Sequence, residues 1–317
     1  YKIEKMSKAS LVVIKSMGIG DLVILTPNIH AISKSTNKPV IVLAQKNTHA
    51  AEILKHDPHV AEIIDLDKKG IFNIIKKIKP KKFDRSYIFS DSLRLYLASK
   101  LSGIKDNYQY TFFSKKGKNF FKTAKNFTEK VLSIKIDSEP KIFINNNDIE
   151  KVIKKFDITN ETVNIVCGIS ASGPTKRWDI KNYIALFKKI NEKKLCKFFL
   201  AAGPKDQTLI DEVLNSSIGK SCVSFSKLSI EETLPIIAAC KVCISNDTGF
   251  AHISSALGLK CLILFMDSPP IAYGTYSNNI SLVLPRNETI ESCGHNTRGK
   301  DKISFNEVLD KTLNLIN

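Results

Sequence analysis

Short apolar runs alternate with helical segments along most of this sequence. The runs Leu-Val-Val-Ile at 11–14 and Thr-Val-Asn-Ile-Val-Cys at 162–167 each open such a series. Near-continuous apolar strands are buried on both faces, and strands that alternate with helices pair in parallel. Because the series starts twice, the sequence predicts an α/β fold with two Rossmann-like domains, each built on a parallel sheet.

A polar segment separates the two series. Residues 136–150 contain Pro140 and three consecutive asparagines, and 317 residues exceed one typical core. We therefore predict a first domain over residues 1–147 and a second over 148–317. No apolar run approaches the ~20 residues that span a bilayer, and charged residues interrupt the apolar run near the N-terminus. We expect neither a membrane span nor an export signal.

The individual elements follow from the same periodicity. Strands are predicted in the first series at 11–14, 40–44, 61–66 and 85–90, and helices at 21–33, 48–55, 71–78, 93–101 and 120–132. In the second series, strands are predicted at 162–167, 197–201, 241–244 and 261–265, and helices at 180–192, 207–214, 230–239, 250–257 and 306–316. The capping box Ser229-Ile-Glu-Glu232 marks the start of one of these helices.

The stretch 246–258 carries the most specific chemistry. Asn246, Asp247, Thr248 and Gly249 are predicted to form a turn between a strand and a helix. A helix N-terminus offers free N–H groups and a partial positive charge, which suit a phosphate. A carboxylate would repel a diphosphate, so Asp247 either faces sugar hydroxyl groups or only caps the helix.

Two further loops suit the same chemistry. Gly18-Ile-Gly-Asp21 follows the first strand, where glycines allow a close approach to the backbone and Asp21 is either a helix cap or a catalytic group. The loop after the strand at 162–167 combines hydroxyl groups with fixed positive charge, a set that suits a diphosphate. Its candidate residues are Ser170, Ser172, Thr175, Lys176 and Arg177.

These three stretches together resemble a known family. They are similar to motifs of the ADP-heptose:lipopolysaccharide heptosyltransferases, glycosyltransferase family 9. The matching stretches are Asn-Asp-Thr-Gly-x-x-His-x-x-x-Ala-x-Gly at 246–258, Lys-Ser-Met-Gly-Ile-Gly-Asp at 15–21 and Ser-Ala-Ser-Gly-Pro-Thr-Lys-Arg-Trp at 170–178. The resemblance implies two facing Rossmann-like domains, the glycosyltransferase B arrangement, with the active site between them. It also implies inverting transfer of heptose from ADP-glycero-manno-heptose to a lipopolysaccharide inner-core acceptor.

Site residues follow from the resemblance position by position. Asp21 would be the catalytic base, and Arg94 would bind an anionic group of the acceptor. The residues implied for the donor are Gly20, Ser172, Thr175, Lys176, Arg177, Asp206 (ribose), Leu228 (adenine), Asp247, Thr248, Gly249 and His252. No cofactor or obligatory metal is expected, since the ADP-sugar is a substrate. Met17, Gly18 and Asp179 depart from the family pattern without removing a group that the chemistry needs.

Positive charge is concentrated in the first half. Residues 1–155 contain 30 Lys and Arg against 15 Asp and Glu, whereas residues 156–317 contain 18 against 16. Nucleic acid, an anionic membrane face and a phosphorylated acceptor all suit such a surface. Two basic segments stand out. One is the cluster Lys68, Lys69, Lys76, Lys77, Lys79, Lys81 and Lys82, which is either a solvated face or a contact with the partner. The other is the basic aromatic stretch 112–132, which is either a core helix or a helix that lies on an anionic membrane.

Two other classes of protein remain as alternatives. A nucleic-acid-binding protein would explain the charge, but the sequence shows no recognised reading motif, so we expect no nucleic-acid partner. A catalytically silent nucleotide-sugar-binding protein would retain the donor residues but would not need Asp21. Seven scattered cysteines suit a reducing compartment. We expect a cytoplasmic enzyme on the inner face of the inner membrane, with an anionic membrane surface and a lipopolysaccharide acceptor as partners.

Overall fold

A computed structural model describes residues 9–15, 18–67, 69–110 and 119–317, apart from the side chain of Pro204. The chain divides into two compact units, Tyr1–Pro140 and Lys141–Asn317. The boundary predicted after residue 147 lies inside the second unit. Each unit contains one parallel sheet with helices on its faces. The predicted fold class is confirmed.

The described part of the first unit contains a five-stranded parallel sheet in the order β3-β2-β1-β4-β5. Its strands are β1 (Leu11–Ile14), β2 (Val40–Ala44), β3 (Val60–Asp65), β4 (Arg85–Phe89) and β5 (Asp106–Gln109). Its helices are α1 (Ile19–Thr36), α2 (Ala50–Ile53), α3 (Ile71–Ile78), α4 (Leu93–Leu101) and α5 (Phe120–Leu132). Every strand pair in this sheet is parallel.

The two faces of this sheet are covered by different helices. Leu11 and Val13 of β1 point to the face where α3 and α4 bury Ile74, Leu95 and Ala98. Side chains alternate along a strand, so Val12 points to the opposite face, and α1 packs against α5. The division follows from the strand order, because right-handed connections that reverse direction across a sheet place their helices on opposite faces.

The first unit differs from the sequence prediction in one helix and one strand. The helix predicted at 48–55 is shorter, since α2 covers Ala50–Ile53 after a 3-10 turn at Lys46–Thr48. Strand β5 was not predicted, because its sequence Asp-Asn-Tyr-Gln contains no apolar run. Residues 112–118 of the basic aromatic stretch and Lys68 of the lysine segment lie outside the described residues.

The second unit contains a six-stranded parallel sheet in the order β11-β10-β9-β6-β7-β8. Its strands are β6 (Val163–Gly168), β7 (Cys196–Leu200), β8 (Cys222–Ser224), β9 (Val242–Asn246), β10 (Lys260–Leu264) and β11 (Ile280–Val283). Its helices are α6 (Asn146–Lys155), α7 (Ile180–Lys193), α8 (Gln207–Leu214), α9 (Ile230–Ala238), α10 (Gly249–Ala256), α11 (Pro270–Tyr273) and α12 (Phe305–Ile316).

The core of the second unit is built largely from aromatic and β-branched residues. Trp178, Tyr183 and Phe187 are fully or almost fully buried, and the rings of Phe187 and Phe198 stack with centroids 4.4 Å apart. Helix α12 packs against α7, and the ring of Phe305 stacks on Trp178 at 6.0 Å. This packing fixes the end of the loop at 169–179, which bears the predicted phosphate-binding residues.

The second unit also corrects the sequence prediction. Part of the polar segment at 136–150, which was predicted to join the two domains, forms helix α6. Asn145 caps this helix by accepting a hydrogen bond from the Asn147 N–H. Strand β9 extends to Asn246, which was predicted to belong to a turn. The capping box of Ser229 and Glu232 is confirmed, with both reciprocal hydrogen bonds present. None of the helices in the described ranges combines the length and apolar character needed to cross a membrane.

Candidate functional site

Three loops meet at the carboxyl edge of the second sheet. Strands β6, β9 and β10 are neighbours in that sheet and run parallel, so the segments that follow them emerge side by side. These segments are 169–179, 247–248 and 265–269. In open α/β sheets the carboxyl ends of the strands are where ligands bind. Most of the predicted donor residues lie on the first two segments.

Asn246 ties the first two segments together. It ends β9 and is completely buried. Its side-chain oxygen accepts hydrogen bonds from the backbone N–H of Trp178 at 3.1 Å and from the Tyr183 hydroxyl at 3.0 Å. Its side-chain nitrogen donates to the carbonyl oxygens of Ile169 at 3.2 Å and Ser170 at 3.1 Å. One side chain therefore fixes both ends of the loop at 169–179.

A close approach between β6 and β9 requires glycine beside this loop. Gly168 is opposite Ser245 in the parallel register. A Cβ atom on Gly168 would lie 1.8 Å from the Ser245 hydroxyl oxygen, so no larger residue fits without moving the strand. The Ser245 hydroxyl also lies 3.3 Å from that of Thr248. The base of the site is thus closely packed.

Asp247 belongs to a buried hydrogen-bond network. The Ser268 hydroxyl donates to its Oδ2 at 2.5 Å, and Nε2 of His252 lies 3.3 Å from its Oδ1. Nδ1 of His252 lies 2.7 Å from the Tyr276 hydroxyl. With the Tyr276 hydroxyl donating to Nδ1, the imidazole proton is on Nε2 and faces Asp247. His252, Ser268 and Tyr276 are all buried.

This network keeps the Asp247 carboxylate ionised. Burial acts to raise the pKa of Asp247, but the hydrogen bonds from His252 and Ser268 and the positive charge of Lys176 outweigh it and hold the pKa below its usual value. The alternative that Asp247 only caps a helix is wrong, because Thr248 is the N-cap residue of α10. Asp247 is an oriented, ionised hydrogen-bond acceptor with 13% of its side chain exposed.

The loop at 169–179 holds two cationic side chains, and one of them forms an ion pair. Lys176 and Arg177 are half-buried, whereas Ser172 is exposed. Nη1 of Arg177 lies 3.4 Å from Oδ1 of Asp206, the N-cap residue of α8. The structure thus brings together the residues predicted for the diphosphate and for the ribose. The positive charge of Lys176 contributes to lowering the pKa of two carboxylates, Asp247 and Asp267.

Asp267 is a part of the site that the sequence did not reveal. It follows β10, is 8% exposed, and accepts hydrogen bonds from the Thr175 hydroxyl at 2.6 Å and the Arg298 N–H at 2.9 Å. Burial acts to raise the pKa of Asp267, but these hydrogen bonds and the charge of Lys176 hold it below its usual value. An acidic residue directly after an apolar strand was the available signal.

Replacing Thr175 with valine is expected to lower the free energy of unfolding by about 1–2 kcal/mol near neutral pH, because Asp267 loses a charge-assisted hydrogen bond. A carboxylate whose pKa is lower in the folded state contributes stability above its unfolded pKa, about 4, and this contribution is lost as the pH falls through the folded pKa. The difference between Thr175→Val and the parent should therefore shrink below about pH 4. Urea unfolding at a series of pH values measures it.

The control for this experiment is Thr162→Val. Among the described residues, the Thr162 hydroxyl has a hydrogen bond only with the Thr159 hydroxyl, at 3.4 Å, and no carboxylate is involved. Any difference in the free energy of unfolding between Thr162→Val and the parent should stay the same from pH 6 to below pH 4. The same pH dependence in both variants would contradict the role assigned to the Thr175 hydroxyl.

In the first unit, Asp21 occupies the first turn of α1. The N-cap residue of this helix is Gly18 and Gly20 is its second residue, so the alternative that Asp21 caps the helix is wrong. Ser16 and Met17 lie outside the described residues. Asp21 follows β1, at the carboxyl edge of the first sheet, with its side chain half-buried. It is held where a carboxylate can face a ligand.

Tyr110 lies near Asp21, although the sequence did not single it out. Its ring packs edge-on against Phe89 and Phe127, with centroids 5.6 Å and 5.0 Å away. Its hydroxyl is buried and has no hydrogen-bond partner among the described residues. Burial, and then the negative charge of Asp21, raise the pKa of Tyr110 well above its usual value. The hydroxyl therefore stays protonated at neutral pH.

The remaining predicted residues are more peripheral. Arg94 is the second residue of α4 and is half-buried. Leu228 is half-buried and directly precedes the capping box of α9. Outside the predicted set, Cys240 and Cys243 form a Cys-x-x-Cys pair of free, buried residues, and burial raises the pKa of Cys240 above its usual range. No group of three or more His, Cys, Asp or Glu in the described part of the chain is arranged to hold a metal ion.

Two α/β units, each with a parallel sheet and with glycine-containing or phosphate-binding loops at its carboxyl edge, are typical of a protein that binds a nucleotide. A model of glycosyltransferase family 9 (heptosyltransferase) matches residues 117–303, more than half of the chain. The chain therefore belongs to glycosyltransferase family 9, as its three motifs predicted.

Similar proteins agree with this family. Lipopolysaccharide heptosyltransferase 2 of Salmonella typhimurium is 29% identical over 137 residues, which are 41% of this chain and 39% of that protein. The chain thus spans about two fifths of the length of the curated relatives it matches.

Solved structures match over a greater length. The Escherichia coli ADP-heptose lipopolysaccharide heptosyltransferase II matches with a TM-score of 0.78 at 18% identity, over 97% of this chain and 98% of that one. A family 9 glycosyltransferase from Veillonella parvula matches with a TM-score of 0.81 at 17% identity, over 98% of each chain. At these identities the likeness concerns the fold.

Proposed function

We propose that this protein is an inverting glycosyltransferase that moves heptose from ADP-glycero-manno-heptose to a lipopolysaccharide inner-core acceptor. The observation that carries the proposal is the oriented Asp247 carboxylate beside Lys176, on loops that Asn246 holds together, in a chain of glycosyltransferase family 9. A protein of the same fold is described as an ADP-heptose lipopolysaccharide heptosyltransferase.

The donor groups divide by charge. Lys176 and the N–H groups at the start of α10, near Thr248 and Gly249, are suited to the diphosphate. The Asp247 carboxylate accepts hydrogen bonds from sugar hydroxyl groups, and its bond from His252 keeps it ionised and oriented. Asp206 is assigned to the ribose and Leu228 to the adenine. Arg177, paired with Asp206, orients that carboxylate. Ser172 and Thr175 complete the hydroxyl groups of the loop.

The reaction needs one base and one stabilised leaving group. Asp21 removes the proton from the acceptor hydroxyl while that oxygen forms a bond to the anomeric carbon of the heptose. The bond from this carbon to the diphosphate oxygen breaks on the opposite face, and ADP leaves with the electron pair. Lys176 stabilises the charge that grows on the diphosphate. One displacement inverts the anomeric centre, and the proton ends on Asp21.

The acceptor is assigned to the first unit, with Arg94 binding an anionic group. The cationic surface of residues 1–155 supports an acceptor presented at an anionic membrane, on the cytoplasmic face of the inner membrane. No cofactor is assigned. A second candidate function is transfer of a different sugar from another nucleotide-sugar donor. It is supported by the hydroxyl groups of Ser172 and Thr175 and the carboxylate of Asp247, which fit the hydroxyl groups of many hexoses as well as those of heptose.

A panel of nucleotide sugars tests the proposal directly. A ligand that binds only the folded state stabilises it by mass action and so raises the melting temperature. At a ligand concentration of 100 times the Kd, the free energy of unfolding increases by about 2.7 kcal/mol. ADP-heptose should give the largest shift, and mixing it with a lipopolysaccharide acceptor fragment should release ADP. A larger shift with a UDP-sugar or GDP-sugar would instead favour the second candidate.

Lys176→Ala is expected to weaken ADP-sugar binding and turnover by about 10-fold or more, since the ammonium contacts the diphosphate in both the ground state and the transition state. Calorimetry with ADP measures the first effect and ADP release the second. Lys181→Ala is the control, because Lys181 is an exposed lysine on α7 in the same unit. Undisturbed ADP binding by Lys176→Ala would assign the diphosphate to another residue.

A further inference from the structure

Helices α3 and α4 carry four large apolar side chains on their outer surface. Phe72 is 82% exposed, Leu93 68%, Leu97 38% and Leu101 60%. The inner faces of the same helices contribute to the core. Single exposed apolar residues are common, but a group of four on two neighbouring helices marks a contact surface.

Helical geometry aligns these side chains. Leu93, Leu97 and Leu101 are spaced by four residues, so at about 100° per residue they occupy an arc of about 80° on α4. Arg94 borders one side of this arc and Lys100 borders the other. The apolar stripe on α4 is therefore flanked by cations on both sides.

Helix α3 presents the same combination. Phe72 is its second residue, and Lys76 follows one turn later on the same face. Helices α3 and α4 pack against each other. Both begin at the carboxyl edge of the sheet, because each follows a parallel strand. We call the combined face the α3–α4 surface: Phe72, Leu93, Leu97 and Leu101, with Lys76, Lys79, Arg94 and Lys100.

The lysines near this surface divide into paired and unpaired groups. Lys77 lies 2.8 Å from a carboxylate oxygen of Asp67, and Lys81 lies 2.6 Å from one of Glu62. These two charges are partly neutralised within the unit. By contrast, Lys76, Lys79 and Lys82 are exposed, and none forms an ion pair with another described residue.

We propose that the α3–α4 surface inserts into the interface of an anionic lipid bilayer. Its four apolar side chains enter the boundary between headgroups and acyl chains, while its basic side chains face the lipid phosphates. This inference rests on the proposed function, whose acceptor is embedded in a membrane. A basic rim around an apolar stripe is the pattern of helices that lie in such an interface.

The charge of the rim argues against a second copy of this chain as the occupant. A two-fold symmetric contact would place the same surface on both sides. Lys76, Arg94 and Lys100 would then face the cations of the other copy. Anionic lipid complements both the rim and the stripe. Arg94, at the edge of the stripe, would lie at the boundary where the anionic groups of a lipid-anchored acceptor emerge.

Vesicle binding by matched variants tests the proposal. The triple variant Leu93→Gln, Leu97→Gln, Leu101→Gln is compared with the parent by sedimentation with phosphatidylethanolamine vesicles containing phosphatidylglycerol, and with pure phosphatidylcholine vesicles. Because burial of even one leucine side chain favours binding by ~10-fold or more, the triple variant should bind anionic vesicles at least ~10-fold more weakly. All three positions are at least partly exposed, so the fold should persist.

Two further variants separate apolar insertion from charge. The first is a control triple variant in the second unit, Ile153→Gln, Leu195→Gln, Leu214→Gln. These three side chains are 37%, 62% and 37% exposed, and the variant should bind vesicles as the parent does. Lys76→Gln, Lys79→Gln, Lys82→Gln should lose the part of binding that salt weakens, since exposed charges act within ~8 Å at physiological salt. The leucine variant should lose the part that persists at high salt.

Fluorescence gives an independent readout. Trp178 is the only tryptophan of the chain and is 1% exposed, so its emission should not respond to vesicles. In Leu97→Trp, anionic vesicles should shift the emission to the blue. No shift, or equal vesicle binding by the leucine variant and the parent, would overturn the proposal. A dimeric parent that the leucine variant converts to a monomer, with vesicle binding unchanged, would assign the surface to a second copy.

An assay of sugar transfer to a soluble acceptor fragment separates failure of the membrane-insertion proposal from failure of the proposed function. The leucine variant should transfer sugar to that fragment at the parent's rate. A parent that transfers no sugar would contradict the proposed function, whereas the vesicle and fluorescence results would still decide the role of the α3–α4 surface.

Discussion

Asn246→Ala is expected to lower the free energy of unfolding by at least about 3 kcal/mol and to abolish binding of the ADP-sugar. The alanine would leave the Trp178 N–H, the Tyr183 hydroxyl and two carbonyl oxygens without their partner in the interior. Each buried polar group left without a hydrogen bond costs about 1–3 kcal/mol. Because this side chain also fixes the loop that bears Lys176, the donor site should lose its geometry with the stability.

Urea unfolding and calorimetry with ADP measure the two effects. Asn164→Ala is the matched control, since Asn164 is a buried asparagine near the start of β6 in the same unit, with hydrogen bonds to the carbonyl oxygens of Thr159 and Thr162. It lies at the opposite end of the strand from the loop at 169–179. Asn164→Ala should lose stability but keep ADP binding. ADP binding retained by Asn246→Ala would show that the loop does not depend on this side chain.

Asp21→Asn is expected to reduce turnover by about 100-fold or more while donor binding is retained. The amide has the shape of the carboxylate but cannot accept the proton of the attacking hydroxyl. Asp21 is the third residue of α1 rather than its N-cap residue, and asparagine keeps the size of the side chain, so the helix should persist. Steady-state ADP release measures turnover, and calorimetry with ADP-sugar measures donor binding.

The control for this experiment is Asp137→Asn, which neutralises an exposed carboxylate of the same unit. It separates catalysis from the change in net charge, which alone would alter attraction to an anionic acceptor. Turnover near that of the parent in Asp21→Asn would end the assignment of Asp21 as the base. A parallel loss in both variants would point to electrostatic attraction instead.

The fold was predictable because buried parallel strands have a strong sequence signal. Eight strands, β1 to β4, β6, β7, β9 and β10, carry runs of apolar residues and are followed by helices or loops in the predicted order, and periodicity located them within one or two residues. Strands β5, β8 and β11 were not predicted. All three lie at a sheet edge, where one side of the strand has no partner, and β5 is polar throughout.

The site was predictable only where its residues lie within local motifs. Asp247, Lys176 and Thr175 stand in turns with recognisable spacing. Asp267, Ser268 and Tyr276 reach their partners over 92, 21 and 24 residues of chain, and no local pattern reports such distances. Asn246 was placed in a turn because asparagine favours turns. Its four buried hydrogen bonds outweigh that preference.

The cross-linking of the three donor loops has a thermodynamic consequence. Asn246, the Thr175–Asp267 bond and the Ser268–Asp247 bond hold these loops in one arrangement through contacts within the protein itself. A ligand therefore immobilises few additional groups, and the conformational entropy that binding usually loses, about 0.5–1.5 kcal/mol for each immobilised side chain, stays small. ADP should bind with a small entropy loss, and the backbone amides of these loops should exchange hydrogen slowly before any nucleotide is added.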